Sequence, residues 1–233
     1  MLSASGLDAW YGKAQILWDV SLAVDPGEVV VLLGRNGAGK STTLKSLIGL
    51  VANRRGEVRF GGQRIDRLAP YRIARLGLGY VPEERRIFTG LTVRENLEVG
   101  RQAAREGIAP WDFERLGRLF PNLAEMPERP GGQMSGGEQQ MLTIARTLMG
   151  NPRCILLDEP SEGVAPVIVD QMAEAIVRLK AEGVAVLLSE QNLHFAQQVA
   201  DRAYIIEKGR VCFAGTMAAL AAEPAISQQY LAL

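Results

Sequence analysis

The sequence predicts an α/β protein: a parallel sheet with helices on both faces, an antiparallel β part near the start and a helical segment inserted in the middle. Three observations carry this. An apolar run, Val29-Val30-Val31-Leu32-Leu33, leads into a glycine-rich loop and then a helix-patterned stretch, Thr43-Leu44-Lys45-Ser46-Leu47-Ile48. Further apolar runs, Cys154–Leu157 and Val184–Leu188, alternate with amphipathic segments, as strands buried on both faces do. From Thr92 to about Met149 that alternation gives way to helical patterning.

Composition sets the outer limits. The chain has 233 residues, long enough for a sizeable core, and 47% hydrophobic with 22% charged residues is ordinary for a globular protein. Lys plus Arg (26) balances Asp plus Glu (26), so no net field argues for a nucleic acid or an anionic membrane as partner. Two cysteines cannot make a disulfide framework; Cys154 and Cys212 each fall in an apolar strand and read as buried free thiols of a reducing cytoplasm. The longest apolar runs are far short of the roughly 20 residues that span a bilayer, and no basic-then-apolar export signal opens the chain. A cytoplasmic protein is expected, with any membrane role exercised through a partner.

In chain order, Leu7–Gly12 and Leu17–Val24 read as two strands, the second ended by the turn Asp25-Pro26-Gly27-Glu28. Asn53-Arg54-Arg55-Gly56 reads as a turn into a short strand, Glu57–Phe60, with Gly61-Gly62 as a hairpin corner. Pro70–Leu76 reads as a short helix and Gly79–Val81 as a buried strand. Thr92-Val93-Arg94-Glu95 has the form of a capping box, and Leu116–Phe120 is amphipathic up to Pro121. After the strand at Cys154, a helix over Val167–Lys180, a strand over Val184–Leu188 and a helix over Leu193–Ala200 follow. The hairpin of Ala203–Ile206 and Val211–Ala214 closes the fold.

The loop Gly34-Arg35-Asn36-Gly37-Ala38-Gly39-Lys40-Ser41-Thr42 fits G-x-x-x-x-G-K-[ST] between a strand and a helix, the context that makes the pattern a phosphate site. Glycines allow successive N–H groups to wrap a polyphosphate, and the free donors of a helix N-terminus point at the same anion. Lys40 then belongs between the β- and γ-phosphates and the Ser41 hydroxyl on Mg²⁺. This stretch binds a nucleoside triphosphate, and Tyr11 is a candidate for stacking on its base. Asp158-Glu159 ends an apolar strand, where a carboxylate faces the ligand crevice of an open α/β sheet. Asp158 suits Mg²⁺, directly or through water, and Glu159 suits a general base for water attacking the γ-phosphorus. Ser135-Gly136-Gly137-Glu138-Gln139 opens another helix and is a second anion site. One chain with one triphosphate has no use for it, so it is expected to cap the nucleotide of a second chain, head to tail.

Nearly end to end, these features resemble the ATPase subunit of an ABC transporter. Gly34–Thr42 matches that family's Walker A, Tyr11 its adenine-stacking aromatic, Ser135–Gln139 its signature, Cys154–Glu159 its Walker B and Ser161–Ala165 its D-loop. The resemblance implies a RecA-like P-loop NTPase core with an antiparallel β-subdomain (1–90 and 150–233) and a helical subdomain carrying the signature (91–149), all one ATPase domain. It also implies ATP and Mg²⁺ as ligands, and closure of two such subunits beneath two transmembrane permease subunits.

Departures narrow the likeness. Glu83 stands where most members have Gln in the loop that senses Mg²⁺, and Ser189-Glu190-Gln191-Asn192 stands where most have His. With Val81-Pro82-Glu83, Arg86-Ile87-Phe88 and Ser161-Glu162-Gly163, these resemble one ATPase of the branched-chain amino acid importers, which pairs with a second, different ATPase subunit. The ending soon after Gln229-Tyr230-Leu231 fits that subunit and leaves no room for a regulatory domain. Gln191 is expected to contact the γ-phosphate and Glu83 the Mg²⁺ or its water, while His194 reads as a helix-surface residue. The expected role is ATP-hydrolysing motor of a branched-chain amino acid importer on the cytoplasmic face of the inner membrane, dealing with a solute-binding protein only indirectly. The working dimer is either mixed or two copies of this chain. The alternatives are a urea or short-amide importer ATPase and a soluble non-transport ATPase of the same family. A G protein is excluded, since Asn-Lys-x-Asp is absent.

Overall fold

The computed structural model describes all residues except 106, 108 and 231–233, together with all side chains among them but that of Ser227. Leu231 therefore lies outside the described residues. Strands β1 (Leu2–Tyr11) and β2 (Ala14–Val24) form a hairpin, and β3 (Val29–Leu33) leads through the glycine-rich loop to α1 (Lys40–Leu47). Next come β4 (Asn53–Phe60), β5 (Gln63–Arg64), α2 (Pro70–Leu76) and β6 (Leu78–Val81). The helical stretch holds α3 (Val93–Gly100), α4 (Phe113–Leu119), α5 (Pro121–Ala124) and α6 (Gly136–Leu148). The chain then runs β7 (Cys154–Asp158), α7 (Pro166–Ala181), β8 (Ala185–Glu190), α8 (Leu193–Val199), β9 (Arg202–Glu207) and β10 (Arg210–Thr216). It finishes with α9 (Met217–Ala222) and α10 (Pro224–Tyr230).

The strands make two sheets. An antiparallel one has the order β2-β1-β4-β5; a larger one has the order β10-β9-β3-β8-β7-β6, parallel from β9 to β6 with β10 antiparallel at the edge. Strand β3 sits between β9 and β8, and all five of its residues are buried. Alternation along it feeds two cores. Val29, Val31 and Leu33 face Leu142, Leu148, Ile176 and Phe195 of the helical side. Val30 and Leu32 face Leu44 and Leu47 of α1 and the apolar side of the antiparallel sheet, including Leu7, Leu17 and Val20. Trp111, Phe120 and Met141 join the first of these clusters, so the helices between β6 and β7 share the apolar core of the sheet.

Two helix starts follow the sequence closely. Thr92 and Glu95 form a reciprocal capping box at α3, and Ser135 and Glu138 form another at α6. Two expectations need correction. Asn53–Gly56 is strand rather than turn: Gly56, at φ 109°, lies opposite the bulge of β1 at Gly6 and Leu7, where the β1–β4 register slips between Ser5 and Asp8. A Cβ there would sit 2.5 Å from the Gly6 carbonyl oxygen, so the position needs glycine because of a close approach inside a sheet. Cys212 is exposed, whereas Cys154 is buried as expected. Strand β10 is an edge strand with period-two burial, Val211 and Phe213 turning inward and Cys212 outward.

A candidate nucleotide cleft between the glycine-rich loop and Glu159

The loop is anchored at both ends by close contacts. The Gly34 N–H donates to the Glu190 carbonyl at 3.3 Å, and a Cβ on Gly34 would lie 2.5 Å from the Ile206 carbonyl oxygen. Gly39, the N-cap of α1, has φ 112° and is pressed against Leu17. Ala38 is buried beneath the loop, its carbonyl accepting from the Gly209 N–H at 2.8 Å. Among the described residues, the backbone N–H groups of Gly37, Gly39, Lys40, Ser41 and Thr42 have no acceptor, and neither does the Ser41 hydroxyl. Five donors at the start of a helix make a cradle for an anion of phosphate type.

Lys40 is 3% exposed. Its Nζ donates to the carbonyls of Gly34 (2.8 Å) and Arg35 (3.1 Å) and pairs with Glu159 Oε1 at 3.0 Å. Glu159 sits in a left-handed conformation at φ 45°, unusual for a residue with a side chain, and its N–H donates to both the carbonyl and the Oγ of Ser189. Its other oxygen accepts from Gln191 Nε2 at 3.0 Å, and the same amide nitrogen donates to Asn36 Oδ1 at 2.7 Å. Burial alone would raise the Glu159 carboxyl. Hydrogen bonds from Glu162, Gln191 and Lys40, with the Lys40 charge, instead hold it below the usual carboxylate range.

Asp158 lies one step behind. It is fully buried, with Ser189 Oγ donating to Oδ1 at 2.8 Å and the Tyr80 hydroxyl to Oδ2 at 3.0 Å. Burial, then the Asp158 charge and hydrogen bond, push the Tyr80 phenol far up, so it stays a donor. Glu190, also buried, accepts from the N–H groups of Ser161, Gln191 and Asn192, fixing the segment after Glu159 against the segment carrying Gln191.

Tyr11, Asn36, Gly37, Gly39, Lys40, Ser41, Thr42, Glu83 and Glu159 line one open cleft of about 460 Å³, joined by Ile16 and Glu162. Tyr11 is 51% exposed at its rim, free to lie flat on a base. Glu83 has its carboxyl raised by burial and then by the negative charges of Glu159 and Asp158. Glu162, which sequence reasoning left without a role, is pushed up to about 7, chiefly by its hydrogen bond to Glu159. The oxygen donors Ser41, Glu83 and Asp158 fit a hard cation such as Mg²⁺. No three His, Cys, Asp or Glu side chains converge on a metal position among the described residues, so such an ion would draw further ligands from phosphate and water.

Ser135, Gly136, Gly137 and Glu138 are not part of this cleft. They form the first turn of α6, with Ser135 as N-cap. His194 is on the exposed face of α8, beside Gln198. Sequence reasoning passed over Ile16, Tyr80 and Ser189, whose positions depend on strand pairing that no local pattern carries.

The ABC transporter family model matches residues 17–162. Over 231 residues the chain is 46% identical to the high-affinity branched-chain amino acid transport ATP-binding protein BraG of Pseudomonas aeruginosa, covering 99% of each. It is 35% identical to the lipopolysaccharide export system ATP-binding protein LptB of Haemophilus influenzae, over 99% of this chain and 97% of that one. A solved ATP-binding subunit of an ABC transporter shares the fold with a TM-score of 0.82 at 32% identity, over 97% of this chain and 94% of that one. With the glycine-rich loop, the paired carboxylates and the Ser135 helix all inside the matched region, the chain belongs to the ABC transporter family of ATP-binding subunits.

Proposed function

We propose that this subunit is the ATP-hydrolysing motor of an importer for branched-chain amino acids, working at the cytoplasmic face of the inner membrane. Its full-length identity of 46% to BraG, against 35% to LptB, is the observation that carries the choice of solute. The whole chain acts as one ATPase unit, with 91–149 bringing the signature helix to the core made by 1–90 and 150–233. The loop N–H groups and Lys40 hold the triphosphate, Tyr11 holds the base, and Glu159 accepts a proton from the attacking water while Gln191 fixes that carboxylate and reaches for the γ-phosphate. Mg²⁺, held by Ser41 and by Asp158 and Glu83 directly or through water, would neutralise charge on the phosphate oxygens. Because the Ser135 turn is not part of the chain's own cleft, it caps the nucleotide of a second ATPase subunit, a paralogue or another copy.

The permeases need a surface, and one groove is suited to it. It measures about 580 Å³ and runs between the α1–α2 region and the α3–α6 region. Leu50, Tyr71, Phe88 and Val99 on its walls are 47–57% exposed, an apolar patch that a membrane partner's cytoplasmic helix would cover. The test is purification of tagged Glu159→Gln protein from native membranes with ATP present. Two permeases and a second ATPase in the eluate, with a branched-chain solute-binding protein in the same system, support the reading. A urea or amide system replaces the solute, and soluble nucleic-acid or ribosomal proteins overturn transport altogether.

A further inference from the structure

One side chain belongs to both the groove and the nucleotide side of the molecule. Tyr80 lines the groove, while its hydroxyl donates to Asp158 Oδ2 at 3.0 Å. Strand β6 makes this possible: Tyr80 shares a face with buried Leu78 and packs on the cluster of Leu44, Leu156 and Cys154, on the same side of the sheet as Asp158. Asp158 holds its two oxygens through two neutral donors of different origin, Tyr80 from the groove side and Ser189 from β8, which does not line the groove.

We propose that Tyr80 is a positioning residue that transmits occupancy of the groove to Asp158. A partner segment pressed into the groove bears on Tyr80, whose ring carries the hydroxyl that orients the carboxylate that would hold Mg²⁺, directly or through water. The path is separate from the Glu83 loop, which begins only after β6 ends. It rests on the reading of the groove as the permease surface and deepens it by naming the residue that reports contact.

The test uses the complete transporter and two conservative variants. Tyr80→Phe keeps the ring and deletes only the donor; Ser189→Ala deletes the other donor, leaves the Glu159 N–H its carbonyl acceptor at Ser189, and leaves the groove untouched. Half-saturating Mg²⁺ is read from calorimetric binding of a non-hydrolysable ATP analogue, and coupling from the ratio of ATPase rates with and without the permeases. Losing one hydrogen bond to a carboxylate should raise half-saturating Mg²⁺ about 3- to 10-fold in both variants. The rate ratio should fall by a similar factor in Tyr80→Phe alone, with the permeases still copurifying. An unchanged Mg²⁺ requirement or rate ratio in Tyr80→Phe, loss of copurification by it, or an equal fall of the ratio in Ser189→Ala would each overturn the proposal. Val99→Asp on the groove wall separates the two readings: if permeases still bind that variant normally, the groove assignment itself fails.

Discussion

Lys40 Nζ and Glu159 Oε1 form an ion pair of 3.0 Å in which both side chains are nearly inaccessible, 2% and 7% exposed. The ammonium has three donors, and the carbonyls of Gly34 and Arg35 take up the others. Removing one partner of such a pair strands the other, and the two sides are not equal. Lys40→Met leaves a buried carboxylate without its cation and should cost about 3 kcal/mol in nucleotide-free denaturation. Glu159→Gln leaves the ammonium two carbonyls and should cost less. The same Glu159→Gln change should lower ATP turnover about 10²- to 10⁴-fold while ATP binding is kept, as loss of a general base does. Equal destabilisation by the two variants would contradict this asymmetry.

Gln191 donates to Glu159 and Asn36, whereas the His194 side chain, on an exposed helix face, is hydrogen-bonded to Gln198. Steady-state hydrolysis should therefore fall about 10-fold or more in Gln191→Ala, the scale of a hydrogen bond to a charged group, and stay near the parent rate in His194→Ala. Small, matching effects would remove Gln191 from the site.

Glu162 gives the cleft a pH signature. Its carboxyl is raised to about 7 by the hydrogen bond to Glu159, by burial and by the charges of Glu159 and Glu83, with Lys40 opposing. The unfolded chain gives up the same proton near the ordinary glutamate value of about 4.3. Between those limits the folded state binds more protons, so this group's contribution to stability declines as pH rises through the window. Glu162→Gln should flatten the decline and be the more stable protein in nucleotide-free denaturation at about pH 8, with the difference shrinking towards about pH 5. Parallel profiles for parent and variant would rule out this origin.

Ser135 has two jobs that substitutions can pull apart. As N-cap it accepts from the Glu138 N–H at 3.3 Å, and Ser135→Ala should cost about 1 kcal/mol of stability. Ser135→Asp keeps a good cap but turns a negative charge towards a neighbouring chain's phosphate. Denaturation should show Asp near the parent and Ala below it. Sedimentation of the ATP-bound Glu159→Gln protein should show that Asp abolishes association. A variant that associates normally with Asp at this position would leave Ser135 as a cap and nothing more.

The parts of this site that were legible in the sequence are those whose chemistry is local. Gly34–Thr42 and Asp158-Glu159 each announce themselves within a strand and its exit, and the Ser135–Glu138 box lies within four residues. Tyr80 was given no role, and Ser189 and Glu190 counted only as neighbours of Gln191, because all three act across strands. Tyr80 meets Asp158 over a separation of 78 residues and Ser189 meets it over 31. Parallel strands leave no hairpin signal to fix such a register. Apolar composition misled at Cys212, where an edge strand turns every second side chain outward, and Gly56 looked like a turn because a close approach to the neighbouring strand's backbone calls for the same residue.

The central placement of β3 also has a consequence for synthesis. The phosphate loop leaves the ribosome early, yet β3 is flanked by β8 and β9, and Ala38 is tied to Gly209, all from the last quarter of the chain. Contacts this distant in sequence form late and slowly. A nascent chain stalled before Ala185 should therefore carry the entire loop and still show no ATP-dependent protection from proteolysis. One stalled with the β9–β10 hairpin already outside the tunnel should show it. The subunit acquires its grip on nucleotide near the end of translation, so incomplete chains are born without the means to spend ATP.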